Sequence, residues 1–482
     1  MIPAPALEIA VLVWGLLLLL VESFASNSDR RGFALAAIGG LVVVLVASFF
    51  LSAPPAAAST GFWSFYTADP LAIFFKRFAL VTTILVLVMS MDYAPIIRMG
   101  VPGANPNAGL GEFFTLPVFT CAGLMWMASA VDFVMIFVSL ELVTMSFYAL
   151  VSFTRRNPVT LEAGVKYLIL SALSTGFLVY GITWIFGVTG ETNLARIGAV
   201  LGREEIDPIP LLFGISLVLV ALGFKIAAVP FQIWVPDVYQ GAPTPVTAFL
   251  SVGSKAAGFV VLLRVLEPFS ILPQVGRLLV VMAALTLIYG NLAALPQMNL
   301  KRLLAYSSIA HAGYLLIGVV TFSGAAVAYY LVAYLLMTLL SFAVLIVVEN
   351  AGGDRIEDCA GLAKRSPFLA FAMLIGMISL AGVPFTAGFL GKFFIFDAAI
   401  RQHQTLLVVI GVITVGCGFY YYLKVVRAMY WLEPAPDAAP ITVSPLSRFT
   451  MTLLIAAIFV LGVYPQPILN ALAPPVVSAT LR

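Results

Sequence analysis

The stretch FKIAAVPFQIWVPDVYQGAPTPVTAFLSVGSKAAGF, residues 224–259, decides what kind of chain this is. Lys225 and Lys255 sit in it among very apolar neighbours, with Pro230, Pro236, Pro243 and Pro245 between them. A charge in hydrocarbon is costly. An interrupted helix there must have its freed backbone groups satisfied by protein or water. A chain that keeps both features together points to moving charge across a membrane rather than merely residing in one.

The rest of the sequence agrees. Of its 482 residues, 62% are hydrophobic and only 10% charged, and the mean hydropathy is +1.08. Soluble domains carry about 25% charged residues. With about 20 apolar residues needed per crossing, the chain reads as about fourteen helical spans, at 4–24, 33–52, 71–91, 112–129, 131–153, 161–188, 209–240, 244–266, 274–295, 299–320, 324–349, 367–400, 405–431 and 446–464. No soluble domain fits in what remains. The first span has no small-residue cleavage site and is followed by Asp29, Arg30 and Arg31, so it reads as retained rather than as a removed signal peptide.

Orientation is read from the positive residues. With an outside N-terminus, the cytoplasmic loops hold Arg30, Arg31, Arg98, Arg155, Arg156, Lys301, Arg302, Arg355, Lys364, Arg365 and Arg448. The outer loops and tail hold Arg196, Arg203, Arg264, Arg277, Arg401 and Arg482. That asymmetry favours both termini outside.

Redox chemistry finds little footing. Cys121, Cys359 and Cys417 are isolated, without a CxxC pair or a zinc or iron–sulfur spacing. His311 and His403 are the only histidines, too few for a series of bis-histidine haem sites. No glycine-rich phosphate loop follows a strand. The expectation is a chain without cofactor or metal of its own.

Val229-Pro230-Phe231 in span 7 recurs as Val383-Pro384-Phe385 in span 12, and both spans are overlong and interrupted by proline and glycine. Equivalent units made of spans 4–8 and 9–13 would lie in opposite orientations, because spans 7 and 12 differ by an odd number. Inverted repeats with broken helices are a transporter architecture, with ion sites at the breaks. Ordinary proline kinks are the alternative. The expected fold is therefore an all-α membrane protein with two inverted five-helix repeats and broken helices 7 and 12. Its parts are an N-terminal three-helix segment (1–111), a first repeat (112–266), a second repeat (274–431) and a C-terminal span (432–482).

The intramembrane charges are the candidate site. Glu141 lies near the middle of span 5, and Lys225 precedes the break in span 7. Side by side they would stabilise each other's charged forms, and separating them would let the lysine lose its proton. A static pair that fixes helix packing is the other reading. Lys255 stands at the centre of span 8 with no acid nearby in sequence, and is expected to face a hydrated interior. Lys392 follows the second break and could pair with Asp397. His311 lies in a polar patch with Tyr306, Ser307, Ser308 and Tyr314, better suited to a relay than a lone packing histidine. Lys166 is only five residues into span 6 and could snorkel to the surface. Glu112, Asp132, Lys76, Arg77, Lys424 and Arg427 lie nearer span ends, where interfacial roles are expected. Glu141, Lys225, Lys255, His311 and Lys392 together could form a proton wire in the membrane plane, with Tyr306 and Ser308 filling gaps.

Three segments, residues 224–259, MNLKRLLAYSSIAHAGYLLIG (298–318) and LAGVPFTAGFLGKFFIF (380–396), make the chain resemble the subunit N family of the proton-pumping NADH–quinone oxidoreductase, respiratory complex I. The mitochondrial counterpart is NADH dehydrogenase subunit 2. The resemblance covers nearly the whole chain. Lysine at 255, where the antiporter-like paralogues typically carry histidine, separates this family from them. It implies that Glu141 and Lys225 are the charged pair of the first half-channel and Lys255 the central lysine. His311 then belongs to the central region and Lys392 to the broken span 12, while Lys166 has a less defined role. It further implies a large assembly with the other membrane and peripheral subunits, the antiporter-like paralogues among them. NADH, FMN, iron–sulfur clusters and quinone would be handled on those partners. The setting is a bacterial inner membrane, and the ligand a proton rather than a nucleic acid. Two other readings share the fold: a subunit of a multi-subunit cation/proton antiporter, and a membrane anchor of a hydrogenase-type complex.

Overall fold

The computed structural model describes residues 5–24, 31–51, 63–101, 110–202, 206–434 and 439–472. Asp29, Arg30, Arg203 and Arg482, used above for topology, lie outside the described residues. The chain is all helix in its regular structure: α1 Ala6–Phe24, α2 Arg31–Ala47, α3 Pro70–Gly100, α4 Leu110–Ser129, α5 Phe133–Val151, α6 Pro158–Thr189, α7 Leu194–Leu201, α8 Pro208–Ile226, α9 Val235–Gly241, α10 Thr244–Phe249, α11 Lys255–Leu266, α12 Pro273–Ala294, α13 Leu300–Val320, α14 Gly324–Ala351, α15 Leu362–Arg365, α16 Pro367–Ala381, α17 Ala387–Arg401, α18 Thr405–Trp431, α19 Pro445–Val463 and α20 Gln466–Leu472.

Many helix starts are written as a capping side chain followed by proline. Asp69, Asn157, Asp207 and Ser444 each accept a backbone N–H of the first turn, and each precedes a proline at the first helical position. The cap satisfies an orphan donor, and proline has no N–H to leave unsatisfied there.

Among the described residues, 13 helical spans are long and apolar enough to cross a membrane. They include α10–α11, joined through a π-helical turn at Leu250–Ser254. The expected span at 367–400 is divided into α16 and α17. The chain is a multi-pass membrane protein. Helices α10–α11, α13 and α14 are buried along nearly their whole length, while α1, α2 and α6 leave most of their surface outside. On α6 that outer surface is apolar, with Val165, Leu168, Ile169 and Leu173 exposed. A face of this composition suits lipid or a neighbouring subunit. Helix α13 packs on α12, α9, α14 and α17, so the interior is built around it. Helices α1 and α2 pack on α3 and α4, and α3 also reaches α10 and α14. The short helix α7 was not expected from the sequence. It buries Leu194 and Ile197 and is capped by Asn193.

Candidate functional site

The two Val-Pro-Phe tripeptides lie in the two non-helical connectors, 227–234 and 382–386. At the first, Ala227 takes a left-handed conformation, and Ala228 donates to the carbonyl of Gly223. The freed Val229 N–H is taken up by Thr286 Oγ1 of α12 at 2.9 Å, and the Phe224 carbonyl accepts from the Trp234 indole at 3.0 Å. Protein groups thus satisfy a broken backbone inside the membrane, as a break there requires.

Lys225 occupies the last turn of α8 and is buried. Helix C-termini favour cations. Its Nζ donates to Thr144 Oγ1 at 3.2 Å. Glu141 is not in contact with it. The Glu141 carboxylate is half-buried and accepts from Thr175 of α6 at 2.6 Å, yet stays within electrostatic reach of Lys225. A small cavity lined by Thr144, Tyr167, Ser171, Ser174, Thr175 and Lys225 lies at this point. The arrangement is a separated pair, each charge held by a threonine hydroxyl. On the other side, the Lys225 stem runs against Gly258, where an added Cβ would stand 3.3 Å from Lys225 Cγ. Gly258 is one turn beyond Lys255, so the Lys225 stem packs on the helix that carries Lys255.

Lys255 follows directly on the π-helical turn. Such turns widen the helix locally and recur at functional positions. Its ammonium is buried and donates to Ser308 on α13, to the carbonyl at 2.5 Å and to the hydroxyl. It also lies 5.8 Å from the centre of the Tyr334 ring. Ser307 shares a hydrogen bond with Tyr422, whose hydroxyl is 3.1 Å from His311 Nε2. The other ring nitrogen, Nδ1, is 2.7 Å from the Tyr330 hydroxyl. His311 is within electrostatic reach of both Lys255 and Lys392. An imidazole with a hydroxyl on each nitrogen can take a proton on one side and release one on the other.

Lys392 does not pair with Asp397, which is held by Arg401 at 2.9 Å. Instead it donates to the carbonyls of Leu380 and Ala381 at the end of α16. Lys166 is 40% exposed and stands apart from the buried groups, in ion pairs with Glu162 and Asp237 at 2.7 Å each. Asp237 also binds Arg302. Tyr306 packs on the Tyr289 ring, away from Lys255, while Ser308 is in contact with it.

One expectation is corrected. Lys76 is not interfacial: it is 1% exposed and forms an ion pair at 2.7 Å with Glu8, which is 0% exposed. Tyr66 donates to the same Glu8 oxygen. Nearby, Arg264 at the end of α11 holds Asp69 with two hydrogen bonds at 2.8 and 2.9 Å. Sequence reasoning also missed Tyr330, Tyr334 and Tyr422. Their helical spacing relative to a buried histidine was not readable without knowing which helices meet. Among the described residues, no group of three or more His, Cys, Asp or Glu side chains could hold a metal ion.

Comparison with known proteins follows this geometry. The family described as NADH:quinone oxidoreductase/Mrp antiporter, TM, matches residues 130–418. The chain is 40% identical over 471 residues to NADH-quinone oxidoreductase subunit N of Moorella thermoacetica, covering 96% of each chain. It is 39% identical to subunit N of Desulforamulus reducens, over 96% of this chain and 95% of that one. A chain of respiratory complex I from Thermus thermophilus superposes with a TM-score of 0.81 at 32% identity, covering 97% of this chain and 99% of that one. A chain of the Mrp complex from Dietzia sp. DQ12-45-1b shares the fold, with a TM-score of 0.79 at 22% identity over 98% of this chain and 96% of that one.

Proposed function

The chain belongs to the NADH-quinone oxidoreductase subunit N family, and on that basis we propose that it moves protons across the membrane by the buried line Glu141, Lys225, Lys255, His311 and Lys392. One observation carries the reading. His311 is hydrogen-bonded at both ring nitrogens and stands within electrostatic reach of lysines on either side. A static packing histidine would share the two hydrogen bonds but has no need of the two lysines. In this reading Glu141 and Lys225 load a proton, Lys255 passes it through Ser308, Ser307 and Tyr422 to His311, and Lys392 releases it. NADH oxidation and quinone reduction take place on partner subunits, which drive the line through charge and conformation. Lys166 acts at the surface with Glu162 and Asp237, where it sets the charge above the Lys225 break.

The two interrupted helices support an inverted-repeat organisation. The same Val-Pro-Phe tripeptide lies in both connectors, and the order of crossings gives α8 and α16 opposite directions. The repeats would span 112–266 and 274–431, behind the three-helix segment 1–111 and before the terminal span 432–482. Both termini then lie on the outer side of a bacterial inner membrane, because the opposite ends of the helices carry Arg98, Arg155, Arg156, Lys301, Arg302, Lys364 and Arg365.

The test is isolation of the tagged chain in mild detergent and reconstitution into vesicles. Co-isolation of NADH-oxidising subunits and NADH-driven proton movement are expected. Sodium/proton exchange that needs no NADH would overturn the assignment in favour of an antiporter.

A further inference from the structure

We propose that Glu349, at the Lys/Arg-rich end of α14, is a second proton-uptake site, besides the Glu141–Lys225 pair, that loads Lys255 along a lane of buried hydroxyls between α10 and α14. The inference rests on the reading of Lys255 as a proton carrier. Glu349 is 15% exposed, so its carboxylate reaches solvent while its position is held. Thr244, the first residue of α10, donates to one carboxylate oxygen. The Tyr93 hydroxyl of α3 and Lys301 Nζ of α13 bind the other, each at 3.2 Å.

From Thr244 the next span carries Thr247, Ser251 and Lys255 at intervals of three, four and four, with Ser254 directly before Lys255. That spacing puts Thr244 and Thr247 on one face of α10, with Ser251 inside the π-helical turn and Lys255 directly after it, and all are buried. The run covers about 16 Å along the axis. Across from it, the Tyr334 hydroxyl of α14 faces Ser251, Thr338 and Ser308, the last being the residue that Lys255 binds. Thr338 Oγ1 is buried and lacks a hydrogen-bond partner. Thr247 and Ser251 donate to the backbone carbonyls of Tyr239 and Ala248, which satisfies their protons and leaves their oxygen lone pairs to accept one.

The transfer balances as follows. A solvent proton adds to a Glu349 carboxylate oxygen. Each hydroxyl in turn accepts a proton on a lone pair and gives its own to the next, with one water spanning each helical-turn step of about 5–6 Å. The final transfer converts the neutral Lys255 amine to the ammonium, and Glu349 returns to the carboxylate. The titratable groups facing Glu349 are Tyr93 and Lys301, with Asp354 behind Lys301 at 3.9 Å. Asp92 is turned away, bonded by Ser444 and Ser447.

The experiment uses the whole complex in vesicles, carrying Glu349→Gln, Ser251→Ala or Lys255→Ala, with NADH-driven proton movement followed from about pH 6 to about pH 8.5. Glu349→Gln and Ser251→Ala are expected to lose about tenfold at the alkaline end and little at the acid end, where protons are plentiful. Formate, a small weak acid that can deliver protons, restores Glu349→Gln. Profiles parallel to the parent's, with no rescue, would overturn the uptake lane. Ser251→Ala removes no charge and decides the matter if Glu349→Gln does not assemble. Parent-like proton movement in Lys255→Ala would instead overturn the reading on which the lane rests.

Discussion

Lys392 caps the helix that ends at Ala381: its ammonium donates to the Ala381 carbonyl at 2.8 Å and to that of Leu380 at 2.9 Å. The end of a helix carries orphan carbonyls and a partial negative charge. A lysine placed there is stabilised without a carboxylate partner. Its ammonium is also 5.1 Å from the centre of the Tyr314 ring. Lys225 also stands in the last turn of its helix, α8, but its ammonium donates to Thr144 rather than to the end carbonyls. Both lysines therefore sit at helix breaks, where the helix end favours a cation.

A first prediction separates cap from carrier. Lys392→Arg keeps a cation but cannot release a proton at accessible pH. Assembly is expected to persist and proton movement to be lost. Lys392→Met also forfeits two charge-assisted bonds, a local cost of about 2–4 kcal/mol, and lowers the amount of assembled complex. Vesicle assays with quantified subunit content check both. Parent-like pumping by Lys392→Arg would reduce Lys392 to a static cap.

Glu141 gives a second. Glu141→Gln can still accept from Thr175 but no longer stabilises the charged form of Lys225 from a distance. The complex should assemble normally and lose at least about tenfold of its proton movement, a change in barrier of about 1.4 kcal/mol. Thr175→Val, which removes the hydroxyl and leaves the charge, is expected to act more mildly. Equal and small effects of the two would point to packing alone.

The approach of Lys225 to α11 supplies a third. A methyl at Gly258 would stand 2.8 Å from Ile226 Cγ2 and 3.3 Å from Lys225 Cγ. Gly258→Ala therefore overpacks the contact, costing about 1–3 kcal/mol, and shifts the Lys225 stem. Proton movement should fall by a larger factor than assembly does. An unchanged rate in a fully assembled variant would show that the spacing of Lys225 and Lys255 is not critical.

The C-terminal end of α11 yields a pH dependence. Asp69 lies outside the spans, at the start of α3. Burial raises its carboxyl, but the Arg264 guanidinium outweighs this and holds it below the usual carboxylate range, with Lys76 adding to the effect. A lowered value means stability present above the unfolded pKa of about 4, lost as pH falls through the lower folded value. Thermal unfolding of the parent in detergent should thus weaken below about pH 4. Asp69→Asn should be less stable at neutral pH by about 2–3 kcal/mol and flatter across that range. Parallel curves would show that the pair is not linked to stability.

The helices and their breaks were legible because span length, capping pairs such as Asp69-Pro70 and the repeated Val-Pro-Phe are local features. The cluster around His311 was half legible: Ser307 and Ser308 lie next to it in sequence. Tyr330 and Tyr422 come from other helices, and tyrosine in a membrane helix also serves as an interfacial anchor. Glu8 and Lys76 illustrate the limit most clearly. Each stands near the start of its own helix, Lys76 reads as an interfacial charge, and only the packing of α1 and α3 on α4 buries the two together. Lys166 and Asp237 show the reverse, where counting residues into a span correctly allowed a surface role.

The central claim is that Lys255 carries protons between the two halves of the line. The most direct measurement is the ratio of protons moved to NADH oxidised by the complex carrying Lys255→Ala, reconstituted in vesicles and compared with the parent at equal subunit content. A clear fall in that ratio with the complex intact is the predicted result. An unchanged ratio would contradict it.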